Sequence, residues 1–208
     1  MLLSFPELAS VSTVRRPVSK LRTLAGWYQD MEGAEQREGW LAWCRERHLF
    51  VACSEELVNA LAAELRNASG PVLEIGAGNG ELAEHLQEAG VEIIPTDWSP
   101  GSREVVSLEA RDALNRYRPE TVLTSFLPVD AGIELDILKH PNVRRYVYVG
   151  PPVVGRPGPH CAWNVPGWRA EPLHNIEDVL LSRLDYLSDF TRQTHCRRAT
   201  AVRLWRAD

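Results

Sequence analysis

The stretch Val72-Leu73-Glu74-Ile75-Gly76-Ala77-Gly78-Asn79-Gly80 decides the fold. Its first four residues read as a short strand, and the glycines at 76, 78 and 80 interrupt it with a turn. From Glu81 to Ala89 the pattern changes to a helix, with Leu82, Ala83 and Leu86 on one face and Gly90 as its stop. Glycines between a strand and a helix let a ligand approach the backbone closely and leave amide N–H groups free at the helix N-terminus. A nucleotide-like ligand is expected there. Twenty-one residues beyond Gly76 a second strand ends at Asp97, where a carboxylate can accept hydrogen bonds from both hydroxyls of a ribose.

Outward from this segment the chain alternates short β-rich runs with helical pieces. Val91 to Thr96, Val105 to Leu108, Thr121 to Phe126 and Val143 to Val149 read as further strands. Strands alternating with helices imply a parallel sheet covered on both faces, a doubly wound α/β sandwich. The runs Val179 to Leu187 and Thr200 to Trp205 are read as a closing antiparallel pair. Between Pro151 and Gly167 the density of proline and glycine predicts a long loop, read as a lid holding His160, Cys161, Trp163 and Trp168. Residues 1–70 lack strand patterns and read as a helical cap, ahead of a ligand-binding domain over 71–208. The cap's last helix has Ser54 as its N-cap, Glu55 and Glu56 at the positive dipole end, and Leu57, Leu61 and Leu65 four residues apart.

The charge around the glycine turn selects the ligand. The dinucleotide fingerprint G-x-G-x-x-G is not met, because the third glycine comes one position early and is followed by Glu81. Glu74, Glu81, Asp97 and Asp112 are expected near the strand ends, where they would repel a pyrophosphate and welcome a cation. S-adenosylmethionine (SAM), with a sulfonium and an ammonium beside one carboxylate, suits such a site better than NAD or ATP. No G-x-x-x-x-G-K-[S/T] loop for a triphosphate is present.

Leu73-Glu74-Ile75-Gly76-Ala77-Gly78-Asn79-Gly80 resembles the glycine-rich motif of class I SAM-dependent methyltransferases. The resemblance covers about residues 71–150 and implies a Rossmann-like, mostly parallel seven-stranded sheet with an antiparallel C-terminal pair. By the same resemblance Glu74 holds the methionine end, Gly76, Ala77, Gly78 and Gly80 form the loop beneath it, and Asp97 binds the ribose. Trp98 is similar to positions that pack on the adenine, and Asp112-Ala113 to the acidic-small pair at its amino group. Ser125-Phe126-Leu127-Pro128 is similar to the fourth-strand end that lines the active site. It lacks the Asn or Asp-Pro-Pro-Tyr of amine-methylating nucleic-acid enzymes, which disfavours a DNA base as acceptor. The segment from Trp43-Cys44 to Leu57 is also similar to a group of uncharacterised bacterial members.

Composition narrows the partners. With 208 residues, 44% of them apolar and 25% charged, the chain is long enough for one well-filled core. Its net charge of −5 argues against a broad basic surface for nucleic acid. Arg192, Arg197, Arg198, Arg203 and Arg206 crowd the tail, and an RNA-binding strip there is weighed against a solvated strand face, which is preferred. The cysteines at 44, 53, 161 and 196 are too scattered for a disulfide framework, and the expected setting is cytoplasmic. Pro6 and Glu7 break the apolar opening before a signal-peptide core can form, and no run approaches a membrane span. His160-Cys161 and His195-Cys196 lack zinc-ligand spacing, so no metal is expected.

The expectation is therefore a methyltransferase that binds SAM, releases S-adenosylhomocysteine and acts on a small-molecule acceptor. His160 and His174 are the candidates for a base, and Tyr28, Phe126, Trp163 and Trp168 for acceptor contacts. Because the sulfonium is already activated, alignment can supply much of the rate and a base is not obligatory. Two other readings stay open: a SAM-binding catalyst of cyclisation or rearrangement, and a non-catalytic SAM-binding subunit of a partner.

Overall fold

The computed structural model describes residues 20–127, 132–152, 165–188, 194–196 and 198–207. Three helices come first: α1 (Leu24–Glu35), α2 (Trp40–Glu46) and α3 (Glu55–Leu65). Thr23 caps α1 by accepting from the Gly26 amide at 3.2 Å, and Ser54 caps α3 by accepting from the Leu57 amide at 3.1 Å. The helices α1 and α2 close over Trp27, Met31, Trp40 and Cys44. Burying Trp40 is affordable because its indole N–H donates to the Ser182 carbonyl at 2.9 Å. Helix α3 belongs to the main core: its Leu57, Leu61 and Leu65 pack in the same cluster as Leu82, Leu86 and Ile93.

The remaining elements are β1 (Val72–Ile75), α4 (Glu81–Glu88), β2 (Ile93–Asp97), β3 (Val106–Ser107), α5 (Ala110–Tyr117), β4 (Thr121–Ser125), α6 (Ile133–Lys139), β5 (Arg145–Gly150), β6 (Trp168–Pro172), α7 (His174–Glu177), β7 (Tyr186–Ser188), β8 (Thr194–Cys196) and β9 (Thr200–Arg206). One seven-stranded sheet runs in the order β3-β2-β1-β4-β5-β9-β6, and β7-β8 form a separate antiparallel pair. From β3 to β5 all neighbours are parallel, while β9 is antiparallel to both β5 and β6. This is the Rossmann-like arrangement expected, with one core layer under α3 and α4 and a second under α5 and α6. Every residue of β1 is buried, as a strand covered on both faces must be.

The chain builds outward from β1 through β2 to β3, then returns to the other side of β1 with β4. That reversal opens a crevice at the carboxyl ends of β1 and β4, the place where open α/β sheets bind ligands.

The closing pair differs from the expectation. The strand on the outer side of β9 is β6, not Val179 to Leu187, which runs through turns and irregular chain with a bridge at Ser182 before entering β7 at Tyr186. Trp168 therefore lies in a strand and not in a lid. The register opposes Trp168 to Arg206, beyond the level of Arg145 at the start of β5, so its ring sits at the end of the sheet away from the crevice. There its indole N–H donates to the Leu138 carbonyl at 2.9 Å.

Candidate functional site

A cavity of about 920 Å³ occupies the crevice. One wall is the glycine turn. Gly76, Gly78 and Gly80 have φ of +79°, +58° and +82°, values that favour glycine, but the three serve different ends. A Cβ on Gly76 would stand 2.2 Å from Leu127 Cδ2, and one on Gly80 would stand 2.7 Å from Val105 Cγ2. Those two glycines allow close packing. Gly78 has nothing within 4 Å of a would-be Cβ and faces open space. Gly80 does not line the cavity; it is the N-cap of α4, behind the turn.

Asp97 fixes the turn from the end of β2. Its Oδ2 accepts from the Gly78 amide at 2.9 Å and its Oδ1 from the Ser99 amide at 2.8 Å, leaving both oxygens with acceptor capacity toward the cavity they line. Trp98 follows with a side chain 74% exposed, an uncommon state for an indole and one that offers a flat apolar face.

Glu74 lies in the buried strand β1, one residue before its end, and its Oε2 has no hydrogen-bond partner among the described residues. Burial, and then the charge of Asp97, push its carboxyl up to about 8. A buried carboxyl with an unused oxygen lining a cavity is suited to a cationic group. Glu81, Asp97 and Glu109 also line the cavity, which makes this half strongly acidic.

The sequence expectation misplaces the acidic-small pair. Asp112 is exposed on the first turn of α5, and Ala113 is fully buried beneath that helix, so neither lines the cavity. Leu108, Glu109 and Ala110 do. The reason is the helix start: α5 begins at Ala110, so the residues at and just before its start line the crevice, while Asp112 turns to solvent and Ala113 to the core.

Ala77, Ser125 and Phe126 line the cavity as expected. Phe126 holds φ of +55° at the end of β4, where its amide donates to the Val149 carbonyl at 2.8 Å. Tyr28 does not reach the cavity and packs against the α1–α2 cluster. His174 is exposed at the start of α7, where its Nδ1 lies 2.9 Å from Glu177 Oε2, away from the cavity. His160, Trp163 and Pro128 fall outside the described residues.

A further wall was not foreseen. Arg47, His48, Leu49, Phe50, Val51 and Cys53, in and beside the link between α2 and α3, also line the cavity. No local signal in the sequence marks this segment, because its place at the cavity depends on how α2 and α3 pack against the rest of the chain. Among the described residues no group of histidines, cysteines and carboxylates is arranged to hold a metal ion, and no helix is long and apolar enough to cross a membrane.

The methyltransferase-domain family matches residues 45–149, just over half of the 208 residues, and the chain belongs to that family. No curated protein matches its sequence. Among solved structures, the 23S rRNA methyltransferase ErmE is 16% identical, with 74% of this chain and 68% of that one covered and a TM-score of 0.49. A SAM-dependent methyltransferase from Archaeoglobus fulgidus is 14% identical over 84% of this chain and 98% of its own, with a TM-score of 0.46. Another, from Bacteroides fragilis in complex with S-adenosyl-L-homocysteine, is 17% identical over 71% and 77%, with a TM-score of 0.40.

Proposed function

We propose that the protein is a SAM-dependent methyltransferase acting on a small-molecule nucleophile. The observation that carries this reading is Glu74: a buried carboxyl with an unused oxygen at the wall of a crevice whose floor is the open face of Gly78. Glu74 would take the ammonium of the methionine end, Asp97 the ribose hydroxyls, Trp98 a face of the adenine, and Glu109 its amino edge. Bound there, SAM supplies a methyl group already activated on a sulfonium. The protein's own part is to hold the two reactants in line and to exclude water.

The cavity's size supports a small acceptor, because about 920 Å³ lies near the top of the roughly 300–1,000 Å³ typical of small-molecule sites and leaves space beyond the cofactor. Leu49, Val51, Leu82, Phe126, Leu127 and Ile133 make that space largely apolar. The arginine-rich tail gives RNA little support: Arg203 pairs with Glu64 and Glu171, and Arg206 donates to the His140 carbonyl at 2.8 Å. A cytoplasmic setting is supported by Cys44 and Cys53, both free and buried.

Calorimetric titration with SAM and S-adenosylhomocysteine, beside mass-spectrometric detection of methylated products from a panel of hydroxylated and amino aromatic compounds, tests the reading. Micromolar binding of both ligands is expected. Well-folded protein that binds neither would overturn it.

A further inference from the structure

Helix α2 ends in an unusual way. The Leu49 amide donates to the Cys44 carbonyl at 2.9 Å and the His48 amide to the Arg45 carbonyl at 3.2 Å, the paired bonds of a Schellman motif. That motif places its next-to-last residue in the left-handed region, where glycine is preferred because a Cβ crowds the backbone. Here the residue is His48, with φ of +51°. Residues held in this region against their preference cluster at functional sites. Of the described non-glycine residues with positive φ, His48 and Phe126 both line the cavity, and only Arg118 does not.

The strain has a chemical return. His48 is the one histidine among the described residues lining the cavity, it is exposed, and no described residue partners its ring. The carboxylates of the cavity come from other elements: Glu74 lies in β1, Asp97 ends β2, Glu109 precedes α5, and Glu81 sits on the first turn of α4. In the same segment Arg47 carries a guanidinium, which has donors and no acceptor, and burial pushes the Cys53 thiol up, so it keeps its proton. Arg47 is also held in place, with its guanidinium 4.2 Å from the Trp43 ring and Nη1 donating to the Trp43 carbonyl at 3.1 Å. Phe50, 42% exposed under the Arg183 guanidinium at 3.9 Å, supplies a flat apolar surface two residues on.

Resting on the methyl-transfer reading above, we propose that His48 is a catalytic residue that takes the proton of a phenol-like O–H acceptor seated against Phe50 and Phe126. As the acceptor oxygen bonds to the methyl carbon, the carbon–sulfur bond breaks with its electron pair going to sulfur. The hydroxyl proton passes to the free imidazole nitrogen of His48 and from there to solvent. The acceptor becomes a methyl ether and the donor a neutral thioether, so charge and atoms balance.

The test uses the full chain and 4-nitrophenol, whose phenol and phenolate forms absorb at different wavelengths, added to protein saturated with S-adenosylhomocysteine. The wild-type protein is expected to bind the probe and raise its phenolate band. His48→Gly is expected to melt about 2–4 °C higher, because the strained position is relieved, and to keep S-adenosylhomocysteine affinity within about twofold. It should bind the probe about tenfold or more weaker and lose the band. His48→Asn, which tolerates the left-handed region, should lose the band with little change in melting. The proposal is overturned if wild-type protein gives no phenolate band, if either variant retains it, or if Glu81→Gln removes it while the His48 variants do not. If S-adenosylhomocysteine does not bind wild-type protein, the methyl-transfer reading falls first; if it binds all variants alike and the band is indifferent to His48, only this proposal falls.

Discussion

Asp97 Oδ2 accepts a hydrogen bond from the Gly78 amide at 2.9 Å, so the end of β2 holds the ligand-facing point of the glycine turn in position. One carboxylate thus shapes the loop and faces the cavity at once. Because the bond is charge-assisted, its loss affects both roles.

Asp97→Ala is expected to weaken S-adenosylhomocysteine binding by about ten- to a hundredfold, the equivalent of losing one or two hydrogen bonds to a charged group. Titration calorimetry reads the affinity. Asp97→Asn should fall between the two, since the amide oxygen still accepts from Gly78 without the charge.

Alanine at the first two glycines of the turn should fail in different ways. At Gly76 the new Cβ meets Leu127 Cδ2 at 2.2 Å, so Gly76→Ala should lower the melting temperature by several degrees. At Gly78 the space is open and only the left-handed backbone resists, at a cost of about 1–2 kcal/mol. Gly78→Ala should stay folded while losing S-adenosylhomocysteine, because the methyl occupies the space the ligand needs. Equal affinity in Gly78→Ala and wild type would show that the ligand lies elsewhere.

Glu74 links binding and stability to pH. Its carboxyl is raised from 4.5 to about 8 by burial, with Asp97 adding to the rise. Between those values the unfolded chain has lost the proton and the folded chain still holds it, so folded stability falls as pH rises through this window. Below it the group is neutral in both states and the effect vanishes. A ligand ammonium favours the carboxylate, so binding should release a proton and affinity should rise from pH 6 to 7, by up to about tenfold. Calorimetry in two buffers of different ionisation enthalpy measures the release. Glu74→Gln should abolish it and flatten the stability profile.

Glu109→Ala should weaken S-adenosylhomocysteine binding several-fold, whereas Asp112→Ala should leave it unchanged. The structure puts Glu109 in the cavity wall and Asp112 in solvent. Parallel titrations decide between them, and the opposite ranking would mean that α5 starts later in the bound protein.

How much was legible in the sequence follows from the range of the interactions involved. The strand, glycine turn and α4, the cap at Ser54 and the spacing from Gly76 to Asp97 are set by residues a few positions apart or by one βαβ unit. Backbone preference, capping and hydrophobic period speak directly there. Trp168 was misread because Gly167 and the prolines before it announce a loop, while the strand that follows exists through β9, some thirty residues on. Asp112 and Glu109 differ by less than one helical turn, and only the packing of Ala113 and Leu114 onto the sheet fixes which of them faces the crevice.

The sequence by itself therefore determined the doubly wound sheet, its glycine turn and the acidic character of the ligand site, because those rest on local conformational preference and on the types of charge present. Only the tertiary structure decided which strand closes the sheet, which acid meets the cavity, and that Arg47 to Val51 line it. Those depend on contacts between segments distant in the chain, and no local pattern encodes them. His48 shows the difference: the sequence holds a histidine after a helix, and the fold turns it toward the crevice.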